Sequence, residues 1–488
     1  MIDVAQARTS APITETQKWN NIDWHKAKVS VRQLQMRIAK AYRVKQYGKV
    51  KSLQWLLAHS YYAKCLAVKR VTQNRGARTP GVDRIIWKTP KQKMDAVNSL
   101  NRHGYKTLPL RRIYIPKKAK GKLRPLSIPA MQCRAMQALY LLTLEPIAET
   151  IADGSSYGFR PRRSAHDAIS KCHAMLARHC HAKYILEADI ESCFNNISHS
   201  WLLKNVYMDT KLLGKWLKAG YIEQGKQYAT EMGTPQGGTI SATLLVIVLS
   251  GLEKFVKQTI RNPDKHKVNF SIYADDFVVT GATPELLEKR IKPLISEFLK
   301  PRGLSLSHDK TKITHINDGF DFLGTTVRKF SNGKLINKPS KASVKNFLAN
   351  LRQTIKSKPS ITTEQLIRIL NAKIRGWTNY HRYTCAKRTL QYVSHHIFLA
   401  IWQWARRRHP NKNCGWVKEK YFFSTDTRQW IFATKIKDKD GEQKLFKLYD
   451  ASGVKIRRHI RIKADANPFN PAFKQYFAKR AVLTSIAA

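Results

Sequence analysis

Apolar positions recur at three- and four-residue spacing through residues 18–75 (Val31, Leu34, Ile38 and Ala41, then Leu53, Leu56 and Leu57), interleaved with basic residues. That spacing predicts amphipathic helices, closed by a loop at Gly76 and Thr79-Pro80-Gly81. Alternation predicts short strands at 111–115 and 124–128. They flank Lys117-Lys118-Ala119-Lys120-Gly121-Lys122 as a basic hairpin suited to a phosphate chain. Helical periodicity returns over 133–182, interrupted by Tyr157-Gly158-Phe159-Arg160-Pro161. A strand is expected at 184–190, followed by a helical stretch, a Gly/Pro cluster at 233–238, another helix, and β-rich runs at 268–273 and 277–280. Beyond residue 330 the pattern is helical (Ile367, Leu370, Ile374, Trp377), whereas 413–488 reads as more β-like and less regular. The fold class is therefore α+β, with strands separated by helices.

Composition narrows the partner. The 488 residues carry 88 Lys+Arg against 33 Asp+Glu, a formal net charge of +55, with 43% apolar residues. Wholesale disorder is excluded, and at about 100–200 residues per domain the length allows two to four domains. The longest apolar run, 244–249, falls far short of the roughly 20 residues that span a bilayer. The first thirty residues show no basic region followed by an apolar one, and include Asp3 and Glu15, so neither secretion nor an organelle is indicated. A cytoplasmic protein is expected, associated with nucleic acid and not with a membrane, because phosphates are the usual partner of such an excess of cations. The excess is sharpest over 331–412, with 17 Lys+Arg and the single acid Glu364. Seven cysteines form no Cys-x-x-Cys pair and read as free thiols. Cys172-His173 with His179-Cys180-His181 lies in a stretch that reads as helix, where such residues line a face more often than they bind zinc.

Against this background, acids within apolar strands stand out. Asp275 and Asp276 sit in Ile272-Tyr273-Ala274-Asp275-Asp276-Phe277-Val278, and Asp189 ends Tyr184-Ile185-Leu186-Glu187-Ala188-Asp189. Adjacent buried carboxylates repel unless a cation neutralises them. A hairpin turn would bring both toward one site, and three carboxylates on neighbouring strands suit two Mg²⁺ ions that activate a 3′-hydroxyl and stabilise a leaving pyrophosphate. The dipeptide alone equally fits an ordinary turn cap.

The surrounding motifs decide. Leu123-Arg124-Pro125-Leu126-Ser127-Ile128-Pro129, Tyr157 to Pro161, Asp189 to Phe194 with Ile197-Ser198-His199, Gly233-Thr234-Pro235-Gln236-Gly237-Gly238, Tyr273-Ala274-Asp275-Asp276, Leu306-Ser307 with Lys310-Thr311-Lys312-Ile313, and Gly319-Phe320-Asp321-Phe322-Leu323-Gly324 follow one another in order. Together they resemble the motifs of reverse transcriptases. Downstream, Ile374-Arg375-Gly376-Trp377-Thr378-Asn379-Tyr380-His381 and Trp402-Gln403-Trp404-Ala405-Arg406-Arg407-Arg408-His409-Pro410 resemble the thumb or maturase (X) domain of bacterial group II intron-encoded proteins. Ala464-Asp465-Ala466-Asn467-Pro468-Phe469-Asn470-Pro471 with Tyr476-Phe477 resembles that family's DNA-binding region.

The resemblance implies a right-hand polymerase: an N-terminal extension over 1–80, fingers and palm over 81–330, an α-helical thumb/maturase domain over 331–412 and a small DNA-binding region over 413–488. Asp189, Asp275 and Asp276 would be the catalytic ligands of two Mg²⁺ ions. Lys117, Arg124, Phe194 and Gln236 would bind the dNTP, Phe194 as the steric gate against a ribose 2′-hydroxyl. Phe322, Leu323 and Gly324 would grip the primer, and Arg375, Trp377, Tyr380, Arg406, Arg407 and Arg408 would meet RNA. The implied partners are intron RNA, an RNA template with its DNA primer, target DNA and dNTPs. The implied function is an RNA-directed DNA polymerase and splicing maturase; a non-enzymatic RNA-binding splicing cofactor and a host-domesticated defence enzyme are the alternatives. The family's HNH endonuclease is expected to be absent, since no paired Cys-x-x-Cys follows and His395-His396 falls too early, on a helix face. Asn195, Ala242 and Val246 depart from the common Asp, Pro and Asn at their positions.

Overall fold

The computed structural model describes residues 14–116, 123–426, 428–437 and 441–486. At its centre is helix Met131–Ile151, of whose 21 residues 16 are buried, including Ala135, Met136, Leu139 and Leu144. A helix apolar on every side must be surrounded. Helices Trp24–Arg43, Tyr47–His59, Tyr61–Thr72 and Ser241–Leu249 surround it in one continuous core. Its few polar side chains are used as ties. The Arg134 guanidinium donates to the carbonyls of Pro129, Gly76 and Thr79 at 2.7, 2.9 and 2.6 Å. The Gln137 side-chain oxygen accepts from the Thr239 amide at 2.9 Å.

A four-stranded antiparallel sheet lies against this core in the order Asn269–Tyr273, Asp276–Gly281, Tyr184–Asp189, Lys312–His315. Leu186, Ala188, Phe277 and Val279 enter the helical core, while Ile185 and Val278 enter a second cluster beneath helix Ala165–Leu176. Burial on both faces explains why these strands read as continuous apolar runs. The hairpin expected at 111–115 and 124–128 forms as Leu110–Pro116 and Leu123–Ile128. It is extended in parallel by Tyr221–Glu223 and its hairpin partner Lys226–Tyr228, a pair absent from the sequence reading.

Strands Phe320–Phe322, Thr325–Lys329 and Leu335–Pro339 form a small sheet that crosses residue 330. Beyond it helices Lys341–Lys356, Thr363–His381, Lys387–Arg408 and Cys414–Tyr421 enclose a separate core (Leu351, Leu370, Ile374, Ile401, Trp404). The first two and the last start on side-chain N-caps, Ser340, Thr362 and Asn413. A three-stranded sheet, Phe422–Thr425, Arg428–Lys437 and Gln443–Lys447, closes that core through Phe432.

The β-like reading of 413–488 holds for this sheet but not for the end of the segment, where Lys474–Ile486 is a helix. The stretch from 459 onward returns to the first half of the chain, where the fully buried Asp167 carboxylate accepts from His459, the Ile462 amide and Arg480, at 2.9, 2.8 and 2.9 Å. Burial raises its pKa, but those bonds and charges outweigh it and hold the carboxyl below its usual range. Helix Ala165–Leu176 ends before His179, Cys180 and His181, so the Cys/His cluster does not share one helix. Among the described residues no helix is long and apolar enough to cross a membrane.

The Arg160 guanidinium meets both oxygens of Glu149, at the end of the central helix, at 2.6 and 3.0 Å, with both side chains almost wholly buried. Removing one partner strands the other charge, which costs about 3–5 kcal/mol. Glu149→Ala is therefore expected to lower the urea midpoint sharply, whereas Lys292→Ala, which breaks an exposed pair with Glu288, should shift it little. Equal, small shifts in the two variants would contradict the structural weight given to Arg160.

Candidate active site

The site is built on a hairpin. Tyr273 pairs with Asp276, leaving Ala274 and Asp275 as a two-residue turn. Ala274 has φ of 60°, a left-handed conformation that costs a residue with a Cβ about 1–2 kcal/mol. The turn is held from outside. The Ile272 amide donates to the Ser155 carbonyl at 2.9 Å, and the Tyr157 amide to the Ile272 carbonyl at 2.8 Å. Gly158 then lies flat against the turn: a Cβ there would sit 2.4 Å from the Ala274 nitrogen. Arg160 fixes this loop by donating to the carbonyls of Asp153 and Ser156 at 2.6 and 2.8 Å.

Three of the expected residues converge here. Asp276 pairs directly with Asp189 across the two central strands, so both side chains share a face, and Asp275 stands in the turn beside them. Glu187, two residues before Asp189, shares that face. Burial pushes the Asp276 carboxyl up to about 7, reinforced by the charges of Asp189, Asp275 and Glu187. Burial also raises Asp275, as does Asp189, while Arg124 and Lys310 act in the opposite direction. The Lys310 ammonium donates to Asp189 at 2.6 Å.

An oxygen-only set of mutually repelling carboxylates fits a hard divalent cation. Among the described residues no three His, Cys, Asp or Glu side chains form a complete ligand group.

Phe194 and Gln236 line one cavity of about 260 Å³ with Arg112, Ser127 and Gly233. Phe194 is half-buried, its ring edge-on to Phe159 at 6.2 Å. Backbone contacts weld the walls together: Thr234 N to Phe194 O at 2.6 Å, and Ser127 N to Gln236 O at 2.8 Å. Gly233, at φ 84°, leaves no room for a Cβ, which would lie 2.4 Å from the Asn195 carbonyl oxygen. Arg124 is exposed on the adjoining strand, and Lys117 lies outside the described residues. Asn195 is exposed near the cavity, and Val246 is buried in helix Ser241–Leu249.

Phe322 is buried, and Leu323 and Gly324 (φ 50° and 73°) form the turn between two strands, the double left-handed geometry of a type I′ hairpin. The residues expected to meet RNA separate into two groups. Arg406 and Arg407 are exposed, as is Arg375, whose guanidinium lies 5.1 Å over the Tyr449 ring. Arg408 instead donates to the Ile361 carbonyl and lies over Trp404. Trp377 stacks on Phe347 at 4.6 Å and donates to Ser343, and the Tyr380 hydroxyl donates to the Leu323 carbonyl at 2.7 Å. Trp377 and Tyr380, expected to meet RNA, are thus engaged within the protein by these contacts. The roles of Gly158, Glu187 and the Tyr380 hydroxyl were not read from the sequence. For Gly158 a signal existed, a glycine inside a motif preceding a strained turn.

Three stretches of the chain match known protein families. Residues 115–327 match the family described as reverse transcriptase (RNA-dependent DNA polymerase), residues 19–100 the N-terminal domain of reverse transcriptase, and residues 344–422 the group II intron maturase-specific domain. The chain is 34% identical to protein YkfC of Escherichia coli (strain K12), over 58% of this chain and 86% of that protein. It is 27% identical to the group II intron-encoded protein LtrA of Lactococcus lactis subsp. cremoris, over 65% and 68%. A similar likeness, 27% over 59% and 45%, connects it to an uncharacterised 91 kDa protein in the cob intron of Schizosaccharomyces pombe.

A methyl group at 158 must push the Ala274-Asp275 turn away. A displacement near 1 Å costs on the order of 100-fold in rate. Gly158→Ala should therefore lose about that much primer extension while melting within a few degrees of the wild type. Full activity in this variant would show that the turn is not positioned through Gly158.

Proposed function

The chain belongs to the group II intron-encoded reverse transcriptase/maturase family and is an RNA-directed DNA polymerase, and from that premise we propose that it binds its intron RNA, assists splicing and copies the intron into DNA at a target site. The observation that carries the polymerase chemistry is the register of Asp189 against Asp276 with Asp275 in the adjoining turn. Asp189, Asp275 and Asp276 would hold two Mg²⁺ ions, which when bound activate the primer 3′-hydroxyl and neutralise the departing pyrophosphate. Arg124, with Lys117, holds the triphosphate, a guanidinium being suited to two-pronged phosphate contacts. Phe194 walls the sugar side of the cavity and excludes a 2′-hydroxyl, and Gln236 forms part of the floor. Phe322, Leu323 and Gly324 seat the primer.

The chain is divided as an N-terminal extension, fingers and palm, thumb and a C-terminal region that contacts target DNA. The thumb binds intron RNA mainly through phosphates, because its 17 cations face a single acid. Arg406, Arg407 and Arg375 carry that role; Arg408 supports the helix end instead.

Asp275→Asn is expected to abolish DNA synthesis on an RNA template while leaving intron-RNA affinity within about twofold; synthesis at the wild-type rate would remove Asp275 from the site. Each phosphate contact contributes roughly 0.7 to the slope of log K against log salt on single strands. Changing Arg406 and Arg407 together to Ala should therefore flatten the intron-RNA slope by roughly 1.4. An unchanged slope would place the RNA elsewhere on the bundle.

A further inference from the structure

The Leu323-Gly324 turn is strained at Leu323, a residue with a side chain at φ 50°. Both of its carbonyls are claimed by the chain that follows. The Gly324 carbonyl accepts from the Ser340 amide at 3.0 Å, and the Leu323 carbonyl from the Tyr380 hydroxyl at 2.7 Å. Tyr380 stands in the last turn of helix Thr363–His381, in the motif that the sequence reading assigned to RNA. The Tyr380 backbone carbonyl in turn accepts from the His166 ring at 2.7 Å, and the two rings lie 4.9 Å apart. His166 belongs to the first turn of helix Ala165–Leu176, next to the buried Asp167 that anchors His459 and Arg480. Three parts of the molecule therefore meet at Tyr380: the cationic helical bundle, the turn read as the primer grip, and the helix beneath the catalytic sheet.

We propose that Tyr380 and His166 form a latch by which the helical bundle sets the position of the Leu323-Gly324 turn, so that nucleic acid held by the bundle and the primer terminus at the aspartates stay in register. Tyr380 is a positioning residue in this arrangement: it touches the turn and not the substrate. The inference rests on the reading of Phe322 to Gly324 as the primer grip. The side chain is suited to the task. Burial pushes its phenol up to about 12, so it stays a donor at every working pH. Loss of the hydroxyl leaves the Leu323 carbonyl without that partner and the turn free to relax.

The test compares Tyr380→Phe, which keeps the ring and removes one hydroxyl, with Gly324→Ala, which strains the turn directly and meets nothing closer than the Ser343 hydroxyl at 3.7 Å. Steady-state primer extension on an RNA template gives KM for primer–template, KM for dNTP and the number of nucleotides added per binding event. Tyr380→Phe is expected to raise the primer–template KM about tenfold and shorten products, with the dNTP KM and the melting temperature little changed. His166→Ala should act in the same direction, His166→Gln should restore most of the effect through its amide donor, and the double variant with Tyr380→Phe should fall short of the sum of the two. If Gly324→Ala raises the primer–template KM and Tyr380→Phe does not, the latch is overturned while the primer-grip reading stands. If neither does, the primer-grip reading falls and takes the latch with it. A loss confined to kcat and melting temperature in Tyr380→Phe would mark the tyrosine as packing alone and also overturn the proposal.

Discussion

A carboxylate that must lie within about half an ångström of its working position cannot be left to a free hairpin tip. In this molecule the requirement is met by the contact of two backbones, Gly158 against Ala274, possible only because position 158 has no side chain. The contact is one link in a continuous chain of support. Glu149 at the end of the central helix fixes Arg160, and Arg160 holds the carbonyls of Asp153 and Ser156. The loop they belong to pairs with Ile272 one residue before Tyr273. The left-handed Ala274 is thus maintained by a buried ion pair that touches no part of the site. Strain at a working turn is tolerable when the surroundings over-determine it.

The same device recurs around the cavity. Gly233 approaches the backbone of Asn195 and Gly237 that of Ser127, so each wall is set by main-chain contact with its neighbour. The C-terminal segment adds a different kind of tie. Asp167 caps its own helix through Ser164 and also accepts from His459, Ile462 and Arg480. One carboxylate therefore joins residues nearly three hundred positions away in the chain to the underside of the four-stranded sheet. A region that looks like an appendage in sequence is packed into the second face of that sheet through Ile462 and Ala466.

How much of this was legible depended on whether a local pattern had one physical outcome. The hairpin at Asp275 was readable because two apolar runs flanked a short polar pair, and burial on both faces made the strands continuous. The hairpin Tyr221–Glu223 with Lys226–Tyr228 was missed because each strand has three residues, too few for a period to show. Helix Lys474–Ile486 was missed because its apolar positions are scattered rather than on one stripe. Trp377 and Tyr380 lie on the expected helix, but spacing reports a shared face and not what covers it, so their contacts with Phe347, Ser343 and Leu323 could not be read. The run Arg406-Arg407-Arg408 divides for the same reason: two side chains face outward and the third turns back to Trp404 and the Ile361 carbonyl.

Electrostatics joins the two halves. Burial, with the charges of Asp189, Asp275 and Glu187, raises the Asp276 carboxyl to about 7, while Lys310 pairs with Asp189 and Lys312 with Glu187. Residues 331–412 have a one-sided balance, 17 cations against Glu364, which itself is taken by Arg368. Among the described residues Lys310 is the cation paired with Asp189, from a mostly exposed position. Under the function proposed above, phosphates would meet the cations of the bundle and divalent ions the aspartates, so the two charge sets would be answered by one ligand.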